Sequence, residues 1–468
     1  MSSLFINILT AQAEPTFLTK INDLASTASG FIWDNILVYL LLGAGIGLTI
    51  YLGFPQITHI GKSIKQVFGE IFNKESGKSG VSSFQALATA VAAQVGTGNI
   101  GGVATAIMAG GPGAIFWMWI SGIFGMSTIF SEAILAQLYR RKEGDQVYGG
   151  PSYYLSQGIG GSFGKFLAIV FSIFIIIALG FFGNLTQSNS IGVAMESSFG
   201  INPVITGVVV AVLALMIFAG GIKRIASFAE LVVPFMAVIY ILVSIYILIA
   251  NASMLPTVFK SIFTSAFSTQ AVAGGLIGAT FKEAMRFGIA RGLFSNEAGM
   301  GSTPHAHATA EVKHPVNQGL VAMFGVIVDT VLICSLTAIV ILATNAPEVA
   351  LEQGLKSVAI TQQGFINALG TFGGKFLGIA LLFFAFTTII GWYYFGESNI
   401  NYLFGQKALW PYRILVVVFI ILGSFVHADL AWTLSDLFNG LMVIPNIIGV
   451  IWLSGKVKKT FKEFKNQK

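Results

Sequence analysis

The sequence predicts an all-α polytopic membrane protein, and three observations carry that expectation. Hydrophobic residues fill 55% of the 468 positions, charged residues only 10%, and mean hydropathy is +0.80. A soluble chain carries about 25% charged residues, so this one lacks the charge to clothe a water-facing surface. Apolar stretches of helical-span length recur along the chain, and the basic residues gather in alternate loops. Disorder, nucleic-acid binding and a soluble enzyme are excluded at this level. The lone cysteine, Cys334, excludes an intrachain disulfide and any cysteine-based zinc or iron–sulfur site.

A span needs about 20 mainly apolar residues. The first runs from about Trp33 to Phe54. Others follow at 84–108, 113–139, 166–195, 203–221, 231–250, 271–303, 316–344, 376–396, 412–428 and 434–454. With these eleven spans, one side holds 19 of the Lys and Arg residues and the other only Lys20, Lys260, Lys356 and Lys375. Lys282, Arg286 and Arg291 lie inside the seventh segment. The positive-inside rule then places the N-terminus outside and the C-terminus in the cytoplasm, in a plasma (inner) membrane.

Ala11-Gln12-Ala13 resembles a signal-peptide cleavage site, but no positive stretch precedes it, so residues 1–30 read as an external segment. After the first span, Ile57, Ile60, Ile64, Phe68 and Ile71 recur at helical spacing among lysines. That pattern predicts an amphipathic helix on the inner leaflet.

Two spans are interrupted. Gly96-Thr97-Gly98-Asn99-Ile100-Gly101-Gly102 puts four glycines into seven residues of the second. Each glycine costs a helix about 1 kcal/mol against alanine. Freed backbone groups at membrane depth must be satisfied by protein or line a cavity. Close helix packing is the competing explanation, but packing motifs space small residues by four, and these cluster beside Thr97 and Asn99. The seventh span repeats the feature in Phe294-Ser295-Asn296-Glu297-Ala298-Gly299-Met300-Gly301-Ser302. Paired interruptions in corresponding halves point to the midplane site of a secondary transporter. The two interruptions lie five spans apart, and an odd number of spans per repeat makes the repeat inverted.

Such a site suits a zwitterion. Half-helix N-termini attract a carboxylate, while unwound carbonyls attract an ammonium group or Na⁺. Asn184, Gln187 and Asn189 in the fourth span, and Thr387, Thr388 and Trp392 in the ninth, are available to complete the pocket. Adjacent hydroxyls facing unwound carbonyls make the oxygen-rich cage a hard cation prefers. Bonding of both threonines to their own helix is the alternative.

Other features are weaker. No G-x-x-x-x-G-K-[ST] motif occurs, which argues against ATP hydrolysis. His305, His307 and His314 do not converge as metal ligands, and a gate or interfacial role suits them better. Glu132 and Asp329 lie inside apolar segments and read as structural ion pairs, with Arg140 or Arg141 and with Arg286 or Arg291 respectively. Glu297 stands out because it lies within the break itself.

The stretch Gly110-Gly111-Pro112-Gly113-Ala114-Ile115-Phe116-Trp117-Met118-Trp119-Ile120 resembles the signature of the alanine/glycine:cation symporter family. Segments Ala92 to Ala106 and Arg286 to Gly299 resemble that family as well, and the likeness extends over nearly the whole chain. The resemblance implies a LeuT-type five-plus-five inverted repeat with one extra N-terminal helix. It divides the chain into an external segment (1–30), an extra span with an amphipathic helix (31–80), a first repeat (81–252), an external connection (253–270), a second repeat (271–455) and a basic cytoplasmic tail (456–468). It further implies a symporter, not an enzyme, that imports alanine or glycine with Na⁺, or sometimes with H⁺. By position, Thr97, Gly98, Asn99, Gln187, Phe294 and Asn296 would hold the substrate, and Trp392 would close the pocket and limit side-chain size. Thr387 and Thr388, with carbonyls near Val95 and Gly96, would hold Na⁺. The implied partners are the amino acid, the cation and the lipid bilayer, with no cofactor, nucleic acid, transition metal or obligatory protein partner.

A channel would want a pore with a selectivity segment repeated around an axis, and an intramembrane enzyme a convergent catalytic constellation. Neither is evident. A cation-coupled transporter of another small polar solute is the remaining rival.

Overall fold

The computed structural model describes residues 17–72, 80–144, 146–268, 279–425 and 429–467. It is helical throughout apart from a short hairpin, β1 (Arg141–Glu143) and β2 (Gln146–Tyr148). Helix α1 (Thr19–Leu52) starts well before the predicted Trp33, and the amphipathic α2 (Ile60–Phe72) follows it. Val67 of α2 is buried and the Ser63 hydroxyl donates to the Leu320 carbonyl at 2.6 Å, so the helix is pinned to the bundle. The predicted surface residue Ile71 lies outside the residues whose side chains are described.

The second span is two helices, α3 (Ser83–Gln94) and α4 (Val103–Gly110), joined through a π-helical turn at Gly98–Gly102. Then come α5 (Gly113–Leu138), α6 (Gly161–Phe199), α7 (Pro203–Phe218) and α8 (Gly221–Ala250). The seventh span is again two helices, α9 (Phe281–Asn296) and α10 (Pro304–Thr309). Residues 269–278, where the predicted segment begins, are outside the described part. The chain continues through α11 (Pro315–Ala343), a helical hairpin of α12 (Ala346–Gln353) and α13 (Val358–Leu369), α14 (Thr371–Phe404), α15 (Leu409–Gly423), α16 (Asp429–Trp452) and the lysine-rich α17 (Ser454–Asn466). Among the described residues, helices occupy each of the eleven predicted segments, and eight of them are long and apolar enough to cross a membrane by themselves.

The two interrupted spans open on the same device. Ser82 caps α3 with Gln85 reaching back to it, and Thr280 caps α9 with Glu283 doing the same. Both are capping boxes, which satisfy first-turn N–H groups that lipid would leave bare. The spans run in opposite directions. Val81, at the start of the first, forms a parallel bridge with Ala310 at the end of the second, and Gly110 at the end of the first lies against Glu283 and Phe287 at the start of the second. They cross near their interruptions, where Gly98 lies against Ser295.

A candidate ion and substrate site at two broken helices

The first break begins where α3 ends: Val95 takes an extended conformation and the helical ladder stops. The loosened backbone is met by neutral groups. Asn99 accepts the Gly96 N–H on Oδ1 at 2.9 Å, and Gln187 Oε1 accepts the Thr97 N–H at 3.4 Å. Gln187 in turn donates to the Thr97 hydroxyl at 2.9 Å. On the far side, the Thr361 hydroxyl of α13 donates to the Ile100 carbonyl at 2.9 Å, so the α12–α13 hairpin packs directly on the break.

Thr388 projects from α14 against this backbone. Its hydroxyl oxygen lies 3.1 Å from the Ala92 carbonyl, 3.2 Å from that of Val95 and 3.0 Å from that of Phe384. One hydroxyl proton cannot satisfy three carbonyls, so the pocket holds surplus lone pairs. That is the chemistry of a hard-cation seat: oxygen ligands, several of them neutral, in a buried cage. Gly96 makes the approach possible, because a Cβ there would collide with the Thr388 hydroxyl. Thr387 is turned away. Its hydroxyl donates to the Phe384 carbonyl at 3.0 Å and neighbours Met236 of α8, so of the two expected threonine ligands only Thr388 meets the break.

The second break has a different character. Glu297 ends α9 in the left-handed conformation (φ 57°), which costs a non-glycine residue about 1 kcal/mol or more. Its carboxylate accepts the Trp392 indole N–H at 2.7 Å and the Ser302 hydroxyl at 2.5 Å. Trp392 is thereby latched to the break, and it lies over Gly183 of α6, where an added Cβ would come within 2.7 Å of the ring. Glu132 from α5 accepts the N–H groups of Gly299 and Gly301, both at 3.1 Å, and the Asn446 amide of α16 at 2.6 Å. The expected pairing of Glu132 with Arg140 or Arg141 is not formed. Arg140 instead donates to the Ala308 and Ala310 carbonyls.

Asp329 of α11 joins the two breaks. Its carboxylate accepts from the Asn99 amide, from Ser295 at 3.0 Å and from Thr330 at 2.8 Å, and it is fully buried. The expected partners Arg286 and Arg291 are engaged elsewhere, with Asp34 and with Asp436 (3.8 Å). Both arginines face α1 and α16 through these pairings. Asn296 donates to Thr330 at 3.0 Å, caps the Ala298 N–H at 3.0 Å, and offers its carbonyl to Gln94 at 2.6 Å. Phe294, nearly buried, floors a cavity of about 200 Å³ that Trp33, Asp34, Arg286, Arg291 and Asp436 line from α1, α9 and α16. At the lysine-rich end the Val81–Ala310 bridge and the Glu311 N–H bond to the Val81 carbonyl hold the ends of the two interrupted spans together.

Thr97, Gly98, Asn99, Gln187, Asn296 and Thr388 thus converge. Asn184 bonds to its own helix at Gly180, and Asn189 bonds to Gly423. His305 is held by the Ser302 carbonyl and Asn399, His307 by Gln318, so the histidines have separate partners. Sequence reasoning assigns no role to Gln94, Ser295, Thr330, Ser302 and Asn446, polar residues in the helices or the break, most of whose partners lie far along the chain. Their one-dimensional signal is a polar side chain at membrane depth.

The model of the sodium:alanine symporter family matches residues 18–468. The sodium/alanine symporter AgcS of Methanococcus maripaludis is 42% identical, the alignment covering 94% of this chain and 96% of the relative. A putative sodium/proton-dependent alanine carrier of Bacillus subtilis is 41% identical over 95% and 93% of the two chains, and a probable sodium/glutamine symporter of the same organism 42% over 94% and 90%. Among solved structures, MhsT in complex with L-phenylalanine superposes with a TM-score of 0.57 at 13% identity, covering 82% of this chain and 99% of that one. A manganese transporter of Eremococcus coleocola gives 0.53 at 14%, covering 82% and 83%. These two likenesses establish the LeuT-type fold. The chain belongs to the sodium:alanine symporter family, a family of transporters and not of enzymes.

Proposed function

We propose that the chain imports a small neutral amino acid, alanine or glycine, together with Na⁺, and that both bind at the first break. The observation that carries this reading is the Thr388 hydroxyl among the Ala92, Val95 and Phe384 carbonyls, within a few residues of Thr97 and Asn99. Na⁺ would sit there, with Thr387 supporting the helix rather than binding the ion. The amino acid would lie between Thr97, Gly98 and Asn99 on one side and Phe294 and Asn296 on the other, with Gln187 behind Thr97. Trp392, latched by Glu297 and backed by Gly183, would bound the side-chain pocket. Asp329, buried without a basic partner among the described residues, would tie the two breaks together through Asn99 and Ser295.

The five-helix repeats would be 81–252 and 271–455, with the N-terminus outside. The 19-to-4 split of basic residues supports that orientation, and the cavity over Phe294 would then open outward. One positive charge falling through 100 mV yields about 2.3 kcal/mol, enough for roughly fifty-fold accumulation. Coupling requires that ion and substrate favour each other's binding, and linkage makes that reciprocal.

The test is radiolabelled alanine uptake into proteoliposomes, with an inward Na⁺ gradient compared against Na⁺-free buffer at matched potential. Na⁺-dependent accumulation competed by glycine but not by leucine is expected. Equal uptake without Na⁺ would move the coupling to H⁺, and no accumulation of any small amino acid would overturn the substrate assignment.

A further inference from the structure

A groove of about 410 Å³ runs down the outside of α1, away from the transport site. Tyr39, Gly43, Gly47 and Tyr51 line it along α1, and Ile451 and Ser454 close its edge from α16 and α17. Gly43 and Gly47 are exposed and face open space, with no atom near where a Cβ would stand. From Tyr39 to Tyr51 the helix rises about 18 Å at 1.5 Å per residue. One leaflet of hydrocarbon is about 15 Å deep. The groove therefore spans roughly one leaflet, and its lining is overwhelmingly apolar.

The end of the groove at Tyr51 is cationic. The Lys458 ammonium lies 4.0 Å over the Tyr51 ring, and α17 carries five lysines, at 456, 458, 459, 462 and 465, against the single acid Glu463. Val457, Thr460 and Phe461 are buried, so α17 is fixed against the bundle while these lysines remain exposed. Basic clusters beside a span attract anionic lipid by about 1 kcal/mol per Lys.

We infer that this groove is a binding site for an anionic phospholipid, with one acyl chain laid over Gly43 and Gly47 and the phosphate against Lys458 and its neighbours on α17. Small residues four apart also serve helix–helix packing, which makes a second copy of the chain the obvious rival. A parallel copy seated in the groove would bring its own five-lysine helix against this one. Like charges at that distance oppose the contact, whereas a phosphate relieves them.

The test uses the full chain, delipidated in detergent, with retained phosphatidylglycerol and phosphatidylcholine counted per protein after exposure to each. Wild type should hold about one phosphatidylglycerol, at least fivefold above phosphatidylcholine. Lys458→Glu should erase that preference, and Gly47→Leu, which fills the groove, should cut phosphatidylglycerol retention fivefold or more. Both variants should keep the wild-type thermal midpoint, since neither position touches the core. Equal retention of the two lipids, or retention indifferent to Gly47→Leu, would overturn the assignment. So would a concentration-dependent dimer in sedimentation that Gly47→Leu dissolves, which would give the groove to a second copy.

Discussion

At the first break, between Gln94 and Val103, the exposed backbone is met by neutral groups: the Asn99 and Gln187 amides and the hydroxyls of Thr388 and Thr361. At the second, between Asn296 and Pro304, carboxylates enter beside neutral amides: Glu132 accepts two backbone N–H groups, and Glu297 accepts the Trp392 indole and the Ser302 hydroxyl. The difference is functional. Neutral partners leave backbone lone pairs and N–H groups that, on the proposed assignment, a cation and a zwitterion would take over. The Asp329 carboxylate touches this break through the Asn99 amide. A buried carboxylate holding backbone N–H groups forms a bond roughly twice as strong as a neutral one, and its removal leaves donors stranded. On the proposed assignment, the first break would exchange partners and the second would keep them.

The largest effect should come from Glu132→Ala. It strands the Gly299 and Gly301 N–H groups and the Asn446 amide at about 1–3 kcal/mol each, so stability should fall by about 3 kcal/mol or more. The thermal midpoint in detergent reads this. A variant as stable as wild type would break the contrast between the two breaks.

Next is Asn99→Ala, which frees the Gly96 N–H and removes a donor from Asp329. Alanine affinity should fall about tenfold to a hundredfold, since about 1.4 kcal/mol is a factor of ten. Equilibrium binding of radiolabelled alanine measures it, and the thermal midpoint should move less than in Glu132→Ala.

Trp392→Phe is expected to act on selectivity rather than turnover. It removes the indole bond to Glu297 and opens space over Gly183, so larger neutral amino acids should compete with alanine several-fold better than in wild type. Competition by glutamine and leucine in the uptake assay would register the change.

The smallest effect should follow Thr361→Ala, which removes one hydroxyl from the Ile100 carbonyl. A single hydrogen bond contributes about 1 kcal/mol. Alanine uptake at saturating Na⁺ should change less than threefold.

The number of spans, the position of both interruptions and the facing of Thr388 toward the first were legible in the sequence, because apolar length, clustered glycines and helical spacing are local signals. The partners of the buried acids were not. The sequence pairs Asp329 with Arg286 or Arg291, yet those arginines pair with Asp34 of α1 and Asp436 of α16. Helical spacing tells which face a residue occupies but not which distant helix lies opposite. In the sequence Glu132 looks like half of a salt bridge, because two of its donors are main-chain N–H groups that carry no label there. Thr387 was paired with Thr388 by adjacency, although neighbours on a helix point about 100° apart, and only one of them could face the break. The start of α1 was placed late because Lys20 and Asp23 interrupt the apolar run while the helix continues through them.

The most direct measurement of the claim that the first break seats the coupling ion is a Na⁺ titration of radiolabelled alanine binding to purified wild type, Thr388→Ala and Thr387→Ala. The account predicts a half-saturating Na⁺ concentration raised about tenfold or more in Thr388→Ala and less than threefold in Thr387→Ala, the loss of a ligand to a charged species being about 1.5–3 kcal/mol. Equal shifts in the two variants, or a Thr388→Ala protein that binds alanine at wild-type Na⁺, would contradict it.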